Sequence, residues 1–234
     1  MSDSVTRRRF IGAAGAAAGG MLLGGAEGQA QAAEARKKLK IIAVSCSRRA
    51  GATTAGGLKI ALEAAKAVAP ERIEIELIDL AGKQLQAQVA AGLEVPPGQT
   101  DDFLPIAEKL ADPQVAGLII GTPVYYSSMS SVCKDFIERL GVFHKECTLS
   151  NVVGGVLAVG AARNGGQEVT IMSVQATLHA HEMVVVGAGR KTTRFGACLW
   201  ANAEGGVEEQ TNRAAAEDLG RRVGEVALAI GKPA

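Results

Sequence analysis

Four apolar runs divide the chain. Leu39–Val44 follows a basic lead-in, Val115–Ile120 is unbroken but for one glycine, and Val152–Val159 and Met183–Val186 come later. Runs of this length without polar alternation are those of parallel strands buried on both faces. A fifth stretch differs: Ile73, Ile75 and Leu77 alternate with Glu74 and Glu76, which predicts a half-exposed strand at a sheet edge. Between these runs, apolar residues recur at helical spacing. Leu58, Leu62, Ala65 and Ala69 mark one helix, closed by Pro70, and Val132, Phe136, Ile137 and Leu140 mark another. Val169, Met172, Leu178 and Met183 are read as lying on a further helix after Gly166, and Glu208–Ile230 as the last. Five strands alternating with helices predict an α/β fold with a doubly wound parallel sheet. An edge position for the second strand fits the order 2-1-3-4-5. No internal repeat or second domain is visible.

The N-terminal stretch changes the picture of where the chain works. Thr6-Arg7-Arg8-Arg9-Phe10-Ile11-Gly12 precedes a Gly/Ala-rich, weakly apolar run, the pattern of a twin-arginine export signal. The run is too glycine-rich and short for a membrane span. Small residues around Gln29–Ala33 suit a signal peptidase, so the expected division is a signal over residues 1–32 and one domain over 33–234, working in the periplasm. Residues 1–32 hold three arginines and two acids, and without them the chain's 25 basic and 24 acidic residues balance to zero. With no basic patch, nucleic acid is excluded as a partner. The cysteines Cys46, Cys133, Cys147 and Cys198 are scattered with no CxxC pair, which weakens metal and thioredoxin readings and suggests isolated buried thiols. His179 and His181 are two apart and do not make a zinc pair on a helix.

Candidate chemistry sits where strands end. After the third strand comes Gly121-Thr122-Pro123-Val124-Tyr125-Tyr126-Ser127-Ser128-Met129-Ser130, which holds both tyrosines of the chain. Rings for stacking, a stiffening proline and several hydroxyls suit a flat, polar-edged aromatic ligand. The first strand ends in Ser45-Cys46-Ser47-Arg48-Arg49-Ala50-Gly51-Ala52-Thr53-Thr54, small residues feeding a helix N-terminus, which suits a phosphate. It has neither the P-loop lysine nor the GxGxxG spacing, which points to a mononucleotide. The fourth strand ends in Gly160-Ala161-Ala162-Arg163-Asn164-Gly165-Gly166-Gln167-Glu168, where glycines allow close backbone approach to a ring.

Thr122–Ser130 and the helix after it closely resemble the flavin-contacting loop of the NAD(P)H-dependent FMN reductases, a flavodoxin-like family. The first loop resembles the family's Gly-Ser-Pro-Arg-x-x-Ser-Asn-Thr: Arg48 and Thr53 match, while Cys46, Ser47, Gly51 and Ala52 stand for Ser, Pro, Ser and Asn. The missing asparagine removes a phosphate donor, a loss of about 1.5–3 kcal/mol. The resemblance implies FMN, with phosphate contacts at Ser47, Arg48, Thr53 and Thr54. Ring contacts fall to Pro123, Val124, Tyr125, Tyr126 and Ser127, with Gly160, Arg163 and Gly165 on the third loop. Asp79–Lys83 and Asp101–Phe103 resemble the flanks of the cluster segment in iron–sulfur flavoproteins, yet Gln84–Thr100 contains no cysteine, so no iron–sulfur cluster is expected there.

The implied function is an FMN-dependent oxidoreductase passing electrons between a small-molecule donor, NAD(P)H in the resembled family, and a small-molecule acceptor. No side-chain acid or base and no metal is assigned to it. The alternatives are a non-enzymatic electron carrier and a flavin-free binding protein on the same fold. The family's habit of completing sites between subunits implies a homodimer or homotetramer, with Gln84–Thr100 and the loop around Tyr126 near the contact.

Overall fold

A computed structural model describes residues 38–201 and 210–231, and the expected export signal lies outside them. The strands β1 (Leu39–Ser45), β2 (Ile73–Asp79), β3 (Val115–Pro123), β4 (Val153–Gly160), β5 (Val184–Val185) and β6 (Ala197–Trp200) make one parallel sheet. Its order is β2-β1-β3-β4-β5, with β6 also pairing β4. This is the flavodoxin-like order expected. β3 and β4 are buried at every residue, as continuous apolar runs at the centre of a parallel sheet must be. β2 lies at the edge, where Glu74 and Glu76 reach Lys38 and Lys109.

Helix α1 (Thr53–Val68) covers one face together with the C-terminal helix α5 (Gln210–Ile230), and α2 (Phe103–Leu110), α3 (Ser131–Arg139) and α4 (Gln167–His179) cover the other. α1 and α5 touch backbone to backbone: a Cβ on Gly220 would lie 1.8 Å from the Ala61 carbonyl oxygen. α2 was not anticipated, although Phe103, Ile106, Ala107 and Leu110 are its buried face at helical spacing.

Two expectations are corrected. The fifth strand is not one run at Met183–Val186. β5 pairs only with Val153 and Gly154, the chain then leaves the sheet, and β6 resumes the same position beside Leu157–Gly160. The excursion closes on itself, since a Cβ on Gly187 would lie 1.8 Å from the Arg194 carbonyl oxygen. Trp200 is the last residue of β6. On α4, Val169 and Met172 are exposed while Thr170, Ile171, Val174 and Leu178 are buried. At about 100° per residue, Leu178 stands half a turn round from Val169, so the helix buries one and leaves the other in solvent. Met183 lies beyond the helix.

The cysteine-free Gln84–Thr100 segment contains one short 3-10 turn, Ala87–Ala91. Its base is held by the buried Arg139, which pairs with Asp101 at 2.8 Å, donates to the Gln86 carbonyl at 3.0 Å and stacks on Phe103. Leu93, near its tip, is exposed.

Candidate functional site at the carboxyl edge of the sheet

The ends of β1, β3 and β4 meet along one edge, and side chains tie them together. The Ser130 hydroxyl donates to the Cys46 carbonyl at 2.7 Å, joining the β3 loop to the β1 loop, and accepts the Cys133 N–H at 3.2 Å as the N-cap of α3. Thr122 Oγ1 accepts the Ser130 N–H at 3.0 Å. Between these anchors the chain turns tightly. Tyr125 and Ser128 exchange two backbone hydrogen bonds of 2.9 Å, with Tyr126 at φ 50° and Ser127 at φ 59°. Positive φ at a bulky residue is strained by about 1–3 kcal/mol. Tyr126 is wholly exposed at the tip and Tyr125 is 56% exposed.

On the β4 side, Gln167 organises the turn. It is 2% exposed, its Nε2 donates to the Ala162 and Leu199 carbonyls at 2.7 and 3.0 Å, and its Oε1 accepts the Gly165 N–H at 2.8 Å. Gly160 leaves room for it, because a Cβ there would come within 2.5 Å of Gln167 Nε2. Ser127 rests on Gly166, where a Cβ would meet its Oγ at 2.6 Å.

These loops enclose a cavity of about 350 Å³, within the usual range for small-molecule sites. Thr53, Thr54, Pro123, Val124, Tyr125 and Gly160, all expected at a ligand site, line it together. The other six expected residues stand elsewhere. Ser47 is buried in its own loop, its hydroxyl accepting the Arg49 N–H at 3.1 Å. Arg48 swings out to Ser131 Oγ at 3.4 Å, and Arg49 lines the cavity in its place. Tyr126 is at the outer tip, Ser127 is on Gly166, and Gly165 is bonded to Gln167. Arg163 stands over the Trp200 ring, 5.6 Å from its centre, on the wall of a second cavity of about 430 Å³. Sequence reasoning missed Val159, Ala161 and Ala201 on the cavity wall and the bracing role of Gln167.

Residues 39–195 match the NADPH-dependent FMN reductase family. The chain belongs to that family. Among its relatives in the family's wider circle, an iron–sulfur flavoprotein of Methanocaldococcus jannaschii is 34% identical over 83% of this chain and all of its own length. An NAD(P)H dehydrogenase (quinone) of Aromatoleum aromaticum is 28% identical over 69% of this chain and 79% of its own. The crystal structure of a flavodoxin, WrbA-like protein from Agrobacterium tumefaciens shares the fold with TM-score 0.54 at 17% identity, covering 82% of this chain and 98% of that one. Among the described residues, no three or more His, Cys, Asp or Glu side chains are grouped to hold a metal ion. None of the described helices is long and apolar enough to cross a membrane.

The first cavity fits the cofactor of an FMN reductase. α1 opens on Ala52 with no side-chain cap, so its first-turn N–H groups and positive end are not taken up by a side chain of the cap residue. The cavity runs from that helix end, past Thr53 and Thr54, to Tyr125 and Gly160. All four cysteines are free thiols. They are less uniform than the sequence suggested. Cys46 and Cys133 are buried side by side, and burial, reinforced by Cys133, pushes the Cys46 thiol well up. Cys147 is exposed, and Cys198 is half-buried on the second cavity.

Proposed function

We propose that the protein is an FMN-dependent oxidoreductase exported by the twin-arginine route, with FMN held in the cavity between the ends of β1, β3 and β4. The observation that carries this is the uncapped start of α1 opening into that cavity opposite Tyr125 and Gly160. When bound, FMN supplies the redox chemistry, and the protein supplies binding, orientation and electrostatics. The phosphate lies at the first turn of α1, with Thr53, Thr54 and Arg49 around it. Arg49 takes the role the sequence suggested for Arg48. The ring lies between Pro123-Val124-Tyr125 and the Gly160-Ala161 backbone, whose amides face a polar ring edge. NAD(P)H is the donor the family supports, and the acceptor is a small molecule. The test is titration of the purified chain with FMN, followed by flavin absorbance and fluorescence, then NAD(P)H oxidation with a quinone acceptor. Saturable binding that Thr54→Val weakens supports the reading, and absence of binding at tens of micromolar sinks it.

Two further parts of this reading rest on separate observations. Export rests on Arg7-Arg8-Arg9-Phe10 and the Gly/Ala-rich run after it, and replacing the arginines with lysines should retain the protein in the cytoplasm. A homo-oligomer is supported by two exposed large side chains, Tyr126 at the tip of the Tyr125–Ser128 turn and Leu93 on the Gln84–Thr100 segment. Light scattering of the mature chain at micromolar concentration tests it, and a mass near one chain, unchanged by FMN, rules it out.

A further inference from the structure

We infer that the second cavity, at the broken fifth strand, is a binding site for a planar aromatic acid distinct from the FMN cavity. It exists because β6 sits at the sheet edge. Strand alternation sends Ala197 and Leu199 into the core under α1 and α5, and turns Cys198 and Trp200 toward α4. That helix begins only at Gln167, and the chain returning through Thr192 and Thr193 stands off from it. A space of about 430 Å³ is left between them.

The walls state what would fill it. Trp200 gives a flat apolar face, only half-buried despite its size. The Arg163 guanidinium lies 5.6 Å from that ring's centre, near the outer limit of a cation–π contact. It makes no salt bridge among the described residues, although both carboxylates and cations elsewhere on this surface pair freely. A planar cation that no described carboxylate neutralises, beside an aromatic wall, recognises a flat ring carrying a carboxylate or sulfonate, the ring on Trp200 and the anion in the guanidinium fork. Glu168 is the one acid on the described wall, and with Thr192 and Thr193 it offers acceptors to a donor such as a phenolic hydroxyl at the ligand's far end. The preferred ligand therefore carries one anionic and one hydrogen-bond-donating edge. The cavity adjoins the FMN cavity along Gly160–Gly166 and where Trp200 gives way to Ala201, but the two share no lining residue.

Trp200 is the only tryptophan in the chain and stands on the wall of this cavity, so in the flavin-free chain its emission reads binding there. The flavin-free chain is titrated with 4-hydroxybenzoate, with uncharged 4-hydroxybenzamide as control, and the series is repeated with FMN present and with Arg163→Gln. The expected result is a saturable change in Trp200 emission for the acid. Arg163→Gln and the amide each weaken it at least fivefold, and FMN leaves the dissociation constant within twofold. A linear, unsaturable response, equal affinity in Arg163→Gln, or displacement by FMN overturns the inference. Because the measurement needs no flavin, failure of FMN binding leaves its outcome readable. Arg163 is exposed in a loop, so its replacement leaves folding intact, which circular dichroism checks.

Discussion

The two cavities share the Gly160–Gly166 turn but are made of different material. Apart from Tyr125, the first is walled largely by small and mid-sized residues where three neighbouring strands end: Thr53 and Thr54, Pro123 and Val124, Gly160 and Ala161. Its one charged side chain is Arg49. The second is walled by larger and charged residues, with Arg163 against Trp200, Glu168, Cys198 and three threonines. A site at strand ends is fixed by the sheet itself, because strand ends cannot move without breaking the ladder. A site walled by larger side chains is fixed by packing and can be altered one residue at a time. The first kind suits a resident group used in every turnover, the second a ligand that varies between relatives of one fold.

Gln167 is where the two kinds meet, so its loss should separate or join them most sharply. Gln167→Ala strands the Gly165 N–H and the Ala162 and Leu199 carbonyls. The buried Leu199 carbonyl costs about 1–3 kcal/mol when stranded, and the part-buried Gly165 and Ala162 groups cost less because water replaces their partner. A total of about 3 kcal/mol would lower Tm by about 6–12 °C in a domain of this size. FMN and 4-hydroxybenzoate should both bind more weakly. Thermal melts and the two titrations check this, and a loss confined to one ligand would mean the turn is not a shared support.

This difference in material also governs what could be read from the chain. Apolar runs and the alternation at Ile73–Leu77 specify five parallel positions, and contiguous strand-end loops then place Thr53, Thr54, Pro123, Val124, Tyr125 and Gly160 together by topology alone. Arg48 and Arg49 could not be told apart, because which of two neighbouring arginines turns inward depends on the Ser47 turn and on Ser131 across the gap. The second cavity was illegible. It depends on a strand that stops after two residues and resumes after a closed excursion, and the run Met183–Val186 carries no sign of that. The exposure of Val169 and Met172 was hidden for a related reason: apolar residues at an exposed helix start look buried until the half-turn to Leu178 is counted.

The next test sharpens the strand-end side. Ala52 is the N-cap of α1 and has extended backbone, where asparagine is among the best caps. Ala52→Asn restores the donor that the resembled loop carries. FMN binding should tighten about tenfold, as one charge-assisted hydrogen bond predicts. 4-Hydroxybenzoate binding should not change. Equal tightening of both ligands would argue for general stiffening rather than a phosphate contact.

A smaller effect is expected at the tip of the Tyr125–Ser128 turn. Tyr126 holds φ 50° with its side chain wholly in solvent, so little packing offsets the strain. Tyr126→Asn, a residue that tolerates this region, should stabilise the monomer by about 1 kcal/mol and raise Tm by about 2–4 °C. If the ring covers bound FMN or a second subunit, the same change should weaken FMN binding or assembly while still raising the Tm of the flavin-free monomer. A lower Tm in that monomer would show that Tyr126 packs on something the isolated chain supplies.

The last test reads the second cavity through its own thiol. Cys198 faces the second cavity, and burial, with Glu168 adding to it, raises its thiol to about 11. Below pH 9 it is almost wholly the unreactive thiol. Its alkylation by iodoacetamide should therefore be slow at pH 8 and rise about tenfold per pH unit toward pH 10, since only the thiolate attacks. Exposed Cys147 should react first throughout, and buried Cys46 and Cys133 only after unfolding. The linkage has a definite sign. The unfolded chain gives up this proton near pH 9 and the folded chain near 11, so Cys198 contributes stability below pH 9 that is lost as pH rises through that window. Cys198→Ala should flatten the alkaline fall in Tm. Mass spectrometry of the alkylated chain locates each reaction. 4-Hydroxybenzoate should protect Cys198 while FMN does not, and protection by FMN alone would merge the two cavities into one site.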